Sequence, residues 1–127
     1  MVEASSLFDF PVDRQQAVLF LGREGHHILI AYVDGAPVGF VSGVETTHPD
    51  KGTEMFLYEL SVDEGHRRRG IGKALASALA GLARERGCYG MWVGTEPENL
   101  GAIATYRSAG AEDVEPFVTM SWTFPVS

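Results

Sequence analysis

The feature that most constrains this chain is a strand-loop-helix unit in its middle. Glu54 to Val62 reads as a strand, and Gly70 to Arg86 places Ile71, Leu75, Ala78, Leu79 and Leu82 on one helical face before stopping at Gly87. The join between them is His66-Arg67-Arg68-Arg69-Gly70-Ile71-Gly72-Lys73. A helix opening there presents unpaired backbone N–H groups and the positive end of its dipole, which together hold phosphate. Gly70 and Gly72 let a ligand approach the backbone, and the arginines and Lys73 add charge-assisted hydrogen bonds. Against a formal net charge of −7, four of the ten basic residues fall within the seven positions from Arg67 to Lys73. The plainer reading is a glycine pair followed by a solvated basic turn.

Two phosphate motifs are absent. A dinucleotide fingerprint needs a small residue three positions after Gly72, where Leu75 stands, and a nucleotide P-loop needs Lys-Ser/Thr where Ile71-Gly72 follows Gly70.

Around this unit the pattern predicts a helix over 13–23 capped by Asp13, then a hairpin of His27–Val33 and Pro37–Val44 turning at Asp34-Gly35. A polar loop is expected over 46–52, a short strand over 89–94, a helix from about Asn99 to Ala109 with Gly110 as its C-cap, and a last strand over 117–124. The order predicts a mixed α/β (α+β) sheet with one or two crossovers in a single domain, residues 1–127. At 45% hydrophobic, 127 residues can bury a core. The longest apolar run, Ile28–Val33, is far short of the roughly 20 residues that span a bilayer, so a cytoplasmic protein without membrane association is expected. The acidic balance argues against a nucleic-acid partner. A single cysteine and four histidines without ligand spacing give no disulfide and no metal site, and Cys88 reads as structural.

Arg67-x-x-Gly70-x-Gly72 resembles the acyl-CoA pyrophosphate motif of the GNAT superfamily of N-acetyltransferases. Asn99-x-x-Ala102-x-x-x-Tyr106-x-x-x-Gly110 resembles the superfamily's second signature, and the two together cover roughly Phe56 to Gly110. The resemblance implies a GNAT fold with a splayed central sheet and acetyl-CoA as cosubstrate. It places the cofactor against Leu60, Ser61 and Val62, with its phosphates on Arg67, Arg68, Arg69, Gly70, Ile71, Gly72 and Lys73. Asn99, Ala102 and Tyr106 would face it from the second helix. Tyr106 is then the candidate acid for the leaving thiolate, since a phenol of pKa about 10 is protonated at neutral pH. The alternatives are an ordinary N-cap for Asn99 and a packing aromatic for Tyr106.

The attacking amine must be neutral, which requires a base or a proton-removing water chain. Glu59 is the first candidate and Glu96 the second, both also candidate substrate contacts; the plainer reading of Glu59 is a solvent-facing glutamate that attracts cations. The run Leu57–Val62 followed by His66-Arg67-Arg68 is most similar to aminoglycoside 3-N-acetyltransferases of the gentamicin-resistance type, which carry aspartate where Glu59 stands. The elements before the hairpin read as shortened relative to the superfamily, which invites a homodimer that completes the acceptor pocket. The open alternatives are a GNAT acting on a protein N-terminus, a lysine or a small metabolic amine, and a catalytically idle acyl-CoA-binding module.

Overall fold

The computed structural model describes residues 2–9, 12–113 and 115–125. After a 3-10 turn (Val2–Leu7) come α1 (Arg14–Gly22), β1 (His26–Val33), β2 (Ala36–His48), β3 (Gly52–Val62), α2 (Ile71–Glu85), β4 (Met91–Trp92) and α3 (Leu100–Ser108). The strands form one sheet in the order β1-β2-β3-β4, antiparallel except for the parallel β3/β4 pair. This is the expected mixed fold. No strand precedes β1 among the described residues, and only the 3-10 turn and the nine-residue α1 stand there.

Local chemistry explains several boundaries. Asp13 caps α1, its Oδ1 accepting from the N–H groups of Gln15 at 2.8 Å and Gln16 at 3.2 Å. Asp34 and Gly35 take φ values of 50° and 79°, as a two-residue hairpin turn requires. The polar stretch expected as a loop over 46–52 is mostly strand, because β2 runs on to His48 and β3 begins at Gly52. Cross-strand polar pairs hold this extension: Thr47 Oγ1 lies 2.8 Å from Thr53 Oγ1, and His48 Nε2 lies 2.8 Å from Glu54 Oε1.

α2 covers one face of the sheet. Leu75, Ala76, Leu79 and Ala83 are buried there with Val41, Met55 and Leu57, while Ala78, expected on the apolar face, is exposed. The helix sits close because β2 offers glycine: a Cβ at Gly43 would come within 2.8 Å of Met55 Sδ and 2.9 Å of Leu79 Cδ1. The opposite face is thinly covered. Phe8 stacks on Phe40 at 4.2 Å, but α1 buries none of its residues.

Two expected strands differ. The ladder of β4 is confined to Met91 and Trp92 rather than 89–94. Residues 117–124 form no strand, and Val118, Met120, Trp122 and Phe124 are each at least 76% exposed. Their alternation suits a half-buried strand, but a strand needs a ladder partner and none pairs with them among the described residues. No described helix is long and apolar enough to cross a membrane, and no described group of three or more His, Cys, Asp or Glu side chains could hold a metal.

Candidate active site

The site begins with a defect in β3. Gly43 pairs with Leu57 and Ser42 with Glu59, so Tyr58 is an extra residue, a β-bulge. Met55 and Leu57 point into the α2 core; the bulge reverses the alternation, so Leu60 and Val62 pack toward that core. Glu59 instead faces the α1 side, beside Ser42. Without the bulge, a carboxylate would be forced under Leu79. The sheet also splays here: β3 pairs with β4 only at Met55–Met91 and Phe56–Trp92, leaving the edge from Leu57 to Val62 without a β4 partner. Leu60, Ser61 and Val62 lie on this edge.

On the α2 side, the helix opens onto a hollow of about 280 Å³ whose lining includes Val62, His66, Arg68, Gly70, Gly72 and Lys73. α3 closes it with Ala104, Thr105 and Ser108. Gly70, the N-cap, has φ 78° and no side-chain cap, and a Cβ there would meet nothing within 4 Å. Arg68 is also left-handed, at φ 65°, a conformation that a non-glycine residue adopts at a cost of about 1–3 kcal/mol. Open space above free helix-end N–H groups, flanked by Arg68 and Lys73, fits a pyrophosphate. Gly72 has a packing role too, since a Cβ there would stand 3.2 Å from Thr105 Cγ2. Arg67 donates from Nε to the Val62 carbonyl oxygen at 3.2 Å, bracing the loop; neither it nor Arg69 lines the hollow.

On the α1 side lies a hollow of about 510 Å³. Its floor is a row across three strands, Ile28–Ser42–Glu59, in direct register. Phe8, Asp9 and Phe20 wall it, with His26 on β1. The Glu59 side chain is open to this hollow, yet partial desolvation, aided by the charge of Asp9, pushes its carboxyl above the ordinary 4.5. Ser42 is 3% exposed, and neither its Oγ nor the buried His26 Nδ1 has a hydrogen-bond partner among the described residues. An unpaired buried polar group costs about 1–3 kcal/mol, so two on one hollow call for an explanation.

The second signature is arranged differently from expectation. Asn99 caps α3, its Oδ1 accepting from the Ala102 N–H at 3.1 Å, which is the plainer reading. Tyr106 packs against the α2 core and lines a third hollow, of about 410 Å³, with Val93, Thr95 and Phe117. Burial pushes its phenol above 10.0. The face of α3 turned to the α2 loop is thus 104, 105 and 108, not the face bearing Asn99 and Tyr106. Glu59 and Tyr106 line different hollows, and Glu96 is exposed and absent from the lining of the Glu59 hollow. Burial raises the Cys88 thiol, consistent with a structural cysteine. Sequence reasoning missed Asp9, His26, Ser42 and Thr105. Only the break in period, from 55 and 57 to 60 and 62, pointed toward this geometry.

Residues 3–111 match the acetyltransferase (GNAT) family, and the chain belongs to that family. It is 35% identical over 104 residues to an uncharacterised N-acetyltransferase of Methanocaldococcus jannaschii, covering 79% of this chain and 44% of that one. The chain therefore spans less than half the length of that relative. Among solved structures, it is similar to an aminoglycoside acetyltransferase from an uncultured soil metagenomic sample in complex with trehalose, with TM-score 0.83 and 22% identity over 94% of this chain and 80% of that one. It is also similar to the aminoglycoside N-acetyltransferase AAC(6')-Iy in complex with CoA, with TM-score 0.74 and 25% identity over 87% of each chain.

Proposed function

We propose that this protein is an acetyl-CoA-dependent N-acetyltransferase. The observation that carries the reading is the pair of hollows on opposite faces of the sheet, a basic phosphate cradle and a carboxylate-bearing pocket, at the splayed stretch of β3. Acetyl-CoA, when bound, supplies an acetyl group activated as a thioester. Arg68, Lys73 and the N–H groups opening α2 hold its phosphates, while the free edge of Leu60, Ser61 and Val62 offers backbone hydrogen bonds to the pantetheine arm. Glu59, with its raised carboxyl, takes the proton from the acceptor ammonium, and Asp9 adds negative charge that draws a cation into the pocket. Tyr106 stays protonated at neutral pH and is the proposed proton donor to the thiolate. Glu96 has no part in this reading.

An aminoglycoside is the first acceptor class to test. The CoA-bound structural neighbour is a 6′-type enzyme rather than the 3-N type that the motif resemblance implies, so the position acetylated is to be read from the product. The test is CoA thiol release from acetyl-CoA with gentamicin, polyamines, amino acids and short peptides. Release with aminoglycosides supports that class, and release confined to peptides or simple amines moves the acceptor. Acetyl-CoA binding without release on any acceptor would reduce the protein to an idle binding module. We extend the reading to a homodimer in which a second copy covers Val118, Met120, Trp122 and Phe124. Such a cluster supplies apolar surface toward the roughly 800 Å² per partner of a standard interface. A monomer in sedimentation velocity removes that extension.

A further inference from the structure

Besides Asp9, Asp13, Gln16 and Arg23, three polar residues of the strands line the hollow beneath α1, and the acetyl-transfer reading uses only Glu59 of these three. Glu59 is the base; Ser42 Oγ and His26 Nδ1 are buried on the same surface without partners among the described residues. Ser42 and Glu59 are direct cross-strand partners, which places their Cβ atoms roughly 4.5–5.5 Å apart on one face. A hydroxyl hydrogen-bonded to Ser42 can therefore belong to the same small molecule as a nitrogen held at Glu59, and the N–C–C–O span of three covalent bonds suits neighbours this close. His26 stands two residues from Ile28, the β1 partner of Ser42, and so about 7 Å further along the same face. Phe8, Phe20 and Ile28 give the hollow apolar wall, and Asp9, Asp13, Gln16 and Arg23 complete its polar lining.

We infer that this hollow selects a 1,2-amino alcohol: Ser42 Oγ hydrogen-bonds a hydroxyl vicinal to the amine that Glu59 deprotonates, and His26 Nδ1 meets a second polar atom of the same molecule. The inference rests on the N-acetyltransferase reading and deepens it. Amino sugars and aminocyclitols carry this unit, as do simpler amino alcohols, and the shared chemistry is what the row Ile28–Ser42–Glu59 recognises. A hydroxyl of this kind is donor and acceptor at once and satisfies a serine in either sense. Ordered water could satisfy both groups equally well, but it would confer no preference between acceptors.

The test compares trans-2-aminocyclohexanol with cyclohexylamine, a pair differing by one hydroxyl, as acceptors for the full chain by CoA thiol release. The wild type is expected to favour the amino alcohol about tenfold or more in kcat/KM. Ser42→Ala is expected to bring the ratio close to one by lowering kcat/KM for the amino alcohol, with the KM for acetyl-CoA held and a melting temperature equal to or above the wild type. His26→Phe, which keeps a ring against Phe20, should leave this ratio intact and weaken only acceptors bearing a further polar group. No preference in the wild type, or a preference that survives in Ser42→Ala, overturns the inference while the enzyme reading stands. Turnover of other amines but of neither member of the pair also overturns it. Absence of turnover on every amine defeats the enzyme reading first, and this inference with it. A fall in melting temperature in Ser42→Ala shows that the hydroxyl is satisfied within the protein, which also overturns it.

Discussion

The two faces of the sheet are built on opposite plans. Under α2, Leu75, Leu79 and Ala83 lie on Val41, Met55 and Leu57, and two glycines in β2 bring the helix so close that a methyl group would not fit at Gly43. Under α1, the helix buries none of its own residues, a hollow of about 510 Å³ remains, and two buried polar atoms lack partners among the described residues. Close packing carries stability, and incomplete packing leaves room for a ligand. The bulge at Tyr58 switches a single strand from the first plan to the second, sending Met55 and Leu57 one way and Glu59 the other.

The comparison breaks most directly at its rigid side. Leu79→Ala empties a fully buried position and is expected to destabilise the protein by about 2–5 kcal/mol, measured by urea unfolding. A loss below about 1 kcal/mol would mean that the α2 face is not the stabilising one.

At the hollow side, function and stability are expected to move in opposite directions. Glu59→Gln should lower kcat/KM about 10²–10⁴-fold while leaving acetyl-CoA binding intact. The pH profile sharpens this. A base must be ionised, so wild-type kcat/KM is expected to rise through a limb centred above 4.5, and the variant should lose that limb. The stability sign follows from the same shift. Below 4.5 the carboxyl is protonated in both folded and unfolded chains and contributes no difference; above its raised folded value, the charge is held at a desolvation cost only in the folded chain. Glu59→Gln should therefore be slightly more stable than wild type at pH 7, with the gain gone at low pH. A variant less stable at pH 7 would mark Glu59 as a structural residue.

Gly72→Val probes the junction where the faces meet the cofactor helix. The added side chain must displace Thr105, which stands 3.2 Å from a Cβ, and push α3 from α2. The expected cost is about 1–3 kcal/mol in stability, with a raised KM for acetyl-CoA and an unchanged KM for the acceptor. Equal rises in both KM values would mean that the cradle and the acceptor hollow are not separate.

How much of this could be read in the chain depended on range. α2 was legible because its apolar face and the Gly70 and Gly87 boundaries are local, and Asp13 announced α1 by its own cap. The glycine- and arginine-bearing turn between β3 and α2 was legible for the same reason, although Arg67 bonds back to the Val62 carbonyl and leaves the hollow there to Arg68 and Lys73. Ser42, His26 and Asp9 were not legible. Ser42 and His26 share the Glu59 hollow through strand register and a bulge, Asp9 reaches it from the segment before α1, and a serine in β2 carries no sign of what stands opposite it. The alternation over 117–124 was visible, but a strand also needs a neighbour, which a local pattern cannot supply.

The smallest expected effect tests whether the outer surface of α1 matters at all. Leu21 is 60% exposed and does not line the Glu59 hollow. Leu21→Ala removes apolar surface already in water and keeps a strong helix former, so stability should change by no more than about 0.5 kcal/mol. The kcat/KM on the acceptor should also hold. A loss comparable to that of Leu79→Ala would show that this face is covered in solution, and sedimentation of the variant beside the wild type would identify a second copy as the cover. No change in either measurement leaves the contrast at its sharpest, with α1 serving as a wall of the hollow and α2 as the support of the sheet.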